Sequence, residues 1–198
     1  IGKTNLNRAL EQIPDHPFTI EWHPFQLNPT MPAEGMGRPE YLEGKFGGKT
    51  GAVQAYAPVV EAAEAAGLKI DFEGMQRTPN TIDAHRLIHW AGIEGRQSFI
   101  VQRLFEAYFC DARDIGDHEV LADIADGCEM DAAVIAKLLE SDADIETMQK
   151  RDAHSREMGI SSVPTFIVAN QHAVPGAQPT EMWIKVMGEI MEQIEAAE

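Results

Sequence analysis

The sequence predicts an α/β protein whose sheet-bearing domain is interrupted by a block of helices. Three observations carry this. A stretch of period-two alternation, Phe18–His23, lies near the start, and two short apolar runs, Thr165–Ala169 and His172–Val174, lie near the end. Most of the chain between them has helical periodicity or helix-capping signals. Strands at both ends of a helical block imply one discontinuous α/β domain with an insertion.

The elements follow in order. Thr4–Gln12 reads as a short helix with Leu6, Ala9 and Leu10 on one face, ended by Pro14 and Pro17. In the strand Phe18–His23, Phe18, Ile20 and Trp22 face one side and Thr19, Glu21 and His23 the other. Residues 24–51, rich in Pro and Gly, read as one long irregular loop. Ala52–Ala66 is an Ala-rich helix with Gly67 as its C-cap. Asn80 or Thr81 caps a helix to about Ala91, and a third runs from about Arg96 to Phe109. Asp117 and Asp131 cap two short helices, and Ser141 or Asp142 opens a polar one to Met158, stopped by Gly159. The chain closes on a helix carrying Met182, Trp183, Val186, Met187, Ile190, Met191 and Ile194. Its broad apolar face fits either packing on the sheet or a homodimer interface.

Composition bounds the function. The chain has 198 residues, with 44% hydrophobic and 24% charged, enough to bury a core without disulfide or metal staples. Sixteen basic against thirty-two acidic side chains give a net charge of −16, which disfavours nucleic acid and anionic membranes as partners. No apolar run approaches the ~20 residues of a membrane span. The two cysteines, Cys110 and Cys128, exclude an all-cysteine metal site and contain no C-x-x-C pair. They read as a possible second thiol pair, with two reduced structural thiols as the favoured alternative in a protein expected to be cytoplasmic. A signal peptide ahead of Ile1 is left open.

Ser161-Ser162-Val163-Pro164-Thr165-Phe166-Ile167-Val168 resembles the cis-proline loop of thioredoxin-fold proteins, and Gly176-Ala177-Gln178-Pro179 with the last helix resembles that fold's C-terminal half. Asn80-Thr81, Ala84-His85-Arg86-Leu87, Trp90-Ala91, Pro24-Phe25, Leu27-Asn28-Pro29 and Leu104–Phe109 are similar to one subgroup. It is the DsbA-like family of FrnE-type oxidoreductases and 2-hydroxychromene-2-carboxylate isomerase relatives. The resemblance implies a thioredoxin fold over 1–38 and 159–198 with an all-helical insertion over 39–158. It also implies a cis Val163–Pro164 bond and a substrate site drawn from Val163, Pro164, Phe25, Asn28, Asn80 and His85.

In that family a first strand leads into Cys-Pro-Trp-Cys, then an aromatic residue, then Ile/Leu-Gly-Lys and the first helix, and Ile1-Gly2-Lys3 resembles the residues just after that pattern's cysteines. The expectation is therefore that the first strand and the catalytic cysteines precede Ile1, and that no catalytic residue lies within these 198. The implied activity is thiol–disulfide exchange with a protein or small-molecule substrate. No cofactor is expected to be tightly bound, and glutathione is a possible co-substrate. The alternatives are a glutathione-dependent isomerase or transferase, and a redox-inactive binding module.

Other motifs carry less. His85 and His89 have the i, i+4 spacing of paired metal ligands, but Arg86 stands where H-E-x-x-H needs Glu and no third ligand is evident, so no metal is expected. Gly48-Lys49-Thr50 lacks the first glycine of a phosphate loop, since position 43 is Glu43. Asp111, Asp114, Asp117 and Glu119 lack calcium-loop spacing.

Overall fold

A computed structural model describes residues 1–196. In chain order it contains α1 (Gly2–Glu11), β1 (Met36–Gly37), α2 (Arg38–Phe46), α3 (Lys49–Ala65), β2 (Arg77–Thr78), α4 (Ile82–Ile93) and α5 (Gln97–Phe105). A π-helical turn (Glu106–Cys110), α6 (His118–Asp126), α7 (Ala132–Leu139), α8 (Ile145–Glu157), β3 (Thr165–Val168), β4 (His172–Pro175) and α9 (Thr180–Glu195) complete it. The elements fall into two compact units, one of residues 1–20, 62–68 and 160–198 and the other of residues 21–61 and 69–159.

In the first unit α1 and α9 pack together beside a β3–β4 hairpin. Leu6, Ala9, Trp183 and Met187 form its buried centre, and Phe166 meets the Trp183 ring edge-to-face at 4.6 Å between centroids. Asn5 donates from Nδ2 to the Gln178 carbonyl (2.9 Å), and Thr180 Oγ1 donates to the Asn5 carbonyl (3.2 Å), which fixes the start of α9 on α1. The hairpin pairs Thr165 with Pro175 through Val168 with His172. Ala169 and Asn170 at its tip have φ of 52° and 56°, the positive values whose twist suits a tight antiparallel turn.

The expected strand Phe18–His23 is not one. The segment carries no ladder among the described residues, and the only strands of this unit are β3 and β4. Alternating side chains supply one half of a strand; the hydrogen-bonding neighbour supplies the other. The same unit holds a buried polar atom without a partner among the described residues, the Trp183 indole N–H.

The second unit is helical. Leu87, Trp90, Ile100, Leu104, Leu121 and Ile124 make the centre of its core. Asp117 and Asp131 cap α6 and α7, each accepting from two backbone N–H groups, as the sequence predicts. Arg86, 1% exposed, donates to the Asp83 carboxylate (2.6 Å) and to the carbonyls of Ala143 (2.6 Å) and Ser141 (2.7 Å). α8 opens at Ile145 rather than at Ser141 or Asp142 because Asp144 stands in the left-handed region at φ 60°, which a right-handed helix cannot include.

Two further expectations are corrected. The loop over 24–51 contains a helix, α2, because Pro39 stands in the first turn, where no amide N–H is needed, and Gly47 closes the last turn at φ 68°. The helix expected over Arg96–Phe109 leaves α-geometry after Phe105. The carbonyls of Ala107 and Phe109 accept instead from the backbone N–H groups of Arg113 and Asp71, at 2.8 Å each.

Candidate functional site

In the first unit the Val163–Pro164 peptide is cis, as the motif predicts. The Pro164 carbonyl accepts from the Gly176 N–H at 2.8 Å, which ties the loop to the end of β4. The ring rests on the first turn of α1: a β carbon at Gly2 would lie 3.0 Å from Pro164 Cγ and 3.2 Å from Phe166 Cζ. Glycine serves close approach at this point rather than an unusual backbone angle. Val163 is 45% exposed, and its backbone N–H and C=O have no hydrogen-bond partner among the described residues. The unit thus brings two things together: a helix N-terminus, where the helix dipole favours an anion, and an exposed segment of free backbone at Val163 that can pair with an extended chain.

In the second unit Phe25, Asn80 and His85 belong to a network that holds residues 24–31 on the helices, and Asn28 is held separately. Asn80 Oδ1 accepts from the Ile82 N–H (2.9 Å) and from Gln26 Nε2 (3.3 Å), and its Nδ2 donates to the Met31 carbonyl (2.8 Å). Its side chain is fully engaged in fixing the loop. Asn28 Nδ2 donates to the Tyr41 hydroxyl at 3.2 Å. His85 hydrogen-bonds the Phe25 backbone, and burial lowers its pKa to about 4 against smaller raising effects of Asp152 and that hydrogen bond. The imidazole is therefore neutral at pH 7 and suited to accept or donate a hydrogen bond.

Asp152, Ser155, Arg156 and Gln26 complete this network and were not predicted. Asp152, 6% exposed, accepts from the Gln26 N–H (2.6 Å) and from Arg156 Nε (3.0 Å). Arg156 also donates to the Gln26 carbonyl and stacks over the Phe25 ring at 4.3 Å. On the polar helix α8, Met148, Asp152 and Ser155 are the buried residues, at i, i+4 and i+7. That single stripe was the available signal, masked because two of its three members are polar.

Cys110 and Cys128 are both free, so the possible pair is not formed. Cys128 is buried in the helical core and Cys110 is exposed at the end of the π-helical turn. Burial pushes both thiols up, and Asp111 and Glu106 push Cys110 further, so both stay protonated and weakly nucleophilic. His85 and His89 are engaged separately, His89 Nδ1 with Arg151 Nη1 at 3.4 Å.

Comparison with known proteins identifies the family and the fold. The protein YwbO of Bacillus subtilis (strain 168), itself uncharacterized, is 25% identical over 191 residues, covering 96% of this chain and 89% of its own. The crystal structure of a probable DsbA oxidoreductase from Streptomyces coelicolor superposes with a TM-score of 0.80 at 25% identity, over 95% of this chain and 82% of that one. A 2-hydroxychromene-2-carboxylate isomerase shares the fold at a TM-score of 0.70 and 16% identity, over 100% and 93% of the two chains. The family profile described as the DSBA-like thioredoxin domain matches residues 1–187, which take in the α1 N-terminus, the helical unit and the Val163–Pro164 loop alike; the chain belongs to that family.

Proposed function

We propose that the protein is a thiol–disulfide oxidoreductase of the DsbA type, its reacting cysteine pair lying just upstream of Ile1 in the manner of FrnE-type relatives. The observation that carries this is the contact of Gly2, in the first turn of α1, with the cis-Pro164 loop. A thiol at that helix N-terminus would be held as thiolate by the terminal N–H groups and the helix dipole. It would attack a substrate disulfide to give a mixed disulfide and release a substrate thiolate, and the second cysteine would resolve the intermediate. The free Val163 backbone would hold the substrate segment alongside. On this reading the partner is a protein or small-molecule thiol or disulfide, with glutathione as co-substrate.

The test uses protein expressed from the complete coding sequence. The expected result is a C-x-x-C shortly before Ile1 and at least ~10-fold acceleration of insulin reduction by dithiothreitol, abolished by serine at the first cysteine. A serine natively at that position with glutathione-dependent isomerisation would replace this reading by the isomerase. Absence of both residues, or no acceleration with the pair present, would overturn it.

A further inference from the structure

We propose that Arg38 is the seat of a binding site for a small oxyanion, separate from the Val163–Pro164 loop. Arg38 is 8% exposed, yet it has no carboxylate partner within 4.0 Å among the described residues. Its contacts are neutral. Nη1 donates to Thr78 Oγ1 at 3.2 Å and Nη2 to the Tyr56 hydroxyl at 3.1 Å. The guanidinium also faces the Tyr41 and Tyr56 rings at 5.8 and 5.5 Å from their centroids.

Buried charges are ordinarily paired or saturated with hydrogen bonds, because leaving one uncompensated is expensive. The same unit shows the ordinary solution twice. Buried Arg86 has Asp83 and a set of carbonyls, and buried Asp152 has Arg156. Arg38 uses only two of its five donors, and Nε has no acceptor although it is not sealed from solvent. An oxyanion on that unused edge would supply the missing charge through short, charge-assisted hydrogen bonds.

The surroundings support the same occupant. Lys45 Nζ also lies over the Tyr41 ring, at 5.2 Å, and donates to its hydroxyl at 2.7 Å, again without an acidic partner. The nearby Glu43 is turned elsewhere, its Oε2 2.7 Å from where a β carbon of Gly48 would stand. Both cations thus lie over the Tyr41 ring with no carboxylate oxygen within 4.0 Å of either among the described residues, although Asp114 reaches the same neighbourhood through Tyr108.

The test is a titration of the full chain with inorganic phosphate, and separately with acetate, at ionic strength held constant with chloride. The reporter is the Arg38 Nε–H resonance, assigned by its loss in Arg38→Lys. The expected result is a saturable shift of that resonance and a melting temperature that rises with phosphate in wild type but not in Arg38→Met. Saturation by phosphate alone assigns a phosphate group, and tighter saturation by acetate assigns a carboxylate. A response that is linear, equal in chloride, or unchanged in Arg38→Met overturns the proposal. If Arg38→Met does not fold, the wild-type resonance decides alone.

Discussion

His85 ties the stability of the helical unit to pH. Burial holds its pKa at about 4 in the folded protein against 6.5 for a free imidazole, so between these values the unfolded chain binds a proton that the native chain refuses. Stability from this group is therefore complete above pH 6.5, falls as pH drops through the window, and is gone below about 4. A shift of that size corresponds to about 3 kcal/mol, at about 1.36 kcal/mol per unit. Carboxylates also titrate in this range, so the quantity to measure is a difference. Urea denaturation of wild type and His85→Gln across pH 4–7.5 should give a stability gap that is flat above pH 7 and shrinks by about 3 kcal/mol toward pH 4. The His85 Cε1 resonance, followed by heteronuclear NMR, should titrate with a midpoint near 4. A midpoint near 6.5, or a gap independent of pH, would refute the account of His85 as an imidazole kept neutral by its packing.

Two substitutions test the remaining framework. Asp152→Ala strips the acceptor from the Gln26 N–H and from Arg156; because Arg156 is about one-third exposed, the usual buried-pair cost is reduced to roughly 2–3 kcal/mol, or roughly 5–10 °C in melting temperature for a chain of this size. A double-mutant cycle with Arg156→Met should show coupling of about 1 kcal/mol or more, and additive losses would mean the pair is incidental. Gly2→Ala gains roughly 0.5–1 kcal/mol of helix propensity but pushes a methyl into the Pro164 ring at 3.0 Å, a clash costing about 1–3, so a net loss is expected by chemical denaturation. Gly188→Ala in α9, where a β carbon meets nothing within 4 Å, should show the gain alone; equal stability of the two variants would contradict the close approach of Pro164 to α1.

What the sequence makes legible here, and what it hides, divides along a physical line. Features closed within a few residues can be read directly. The aspartate caps at Asp117 and Asp131 need only the two N–H groups that follow them, and Gly67 needs only its own positive φ of 67°. Features that need a distant partner are read only when a motif has already encoded the partner. The Val163–Pro164 loop is legible because Pro164, Thr165 and Phe166 resemble a family pattern whose counterpart, the start of α1, sits at Gly2; helical spacing alone would have left Gly2 as a poor helix former. Where no motif stands in for the partner, local pattern misleads. Phe18–His23 alternates perfectly and has no ladder, Pro39 resembles a breaker and starts a helix, and Asp152 with Arg156 resembles a solvated i, i+4 pair while anchoring a buried loop. Arg38 is the sharpest case. In the sequence it is one of sixteen basic residues in an acidic chain, and only its 8% exposure without a carboxylate sets it apart. A buried cation lacking its counter-charge cannot be read from spacing, because the informative fact is which neighbours it does not have.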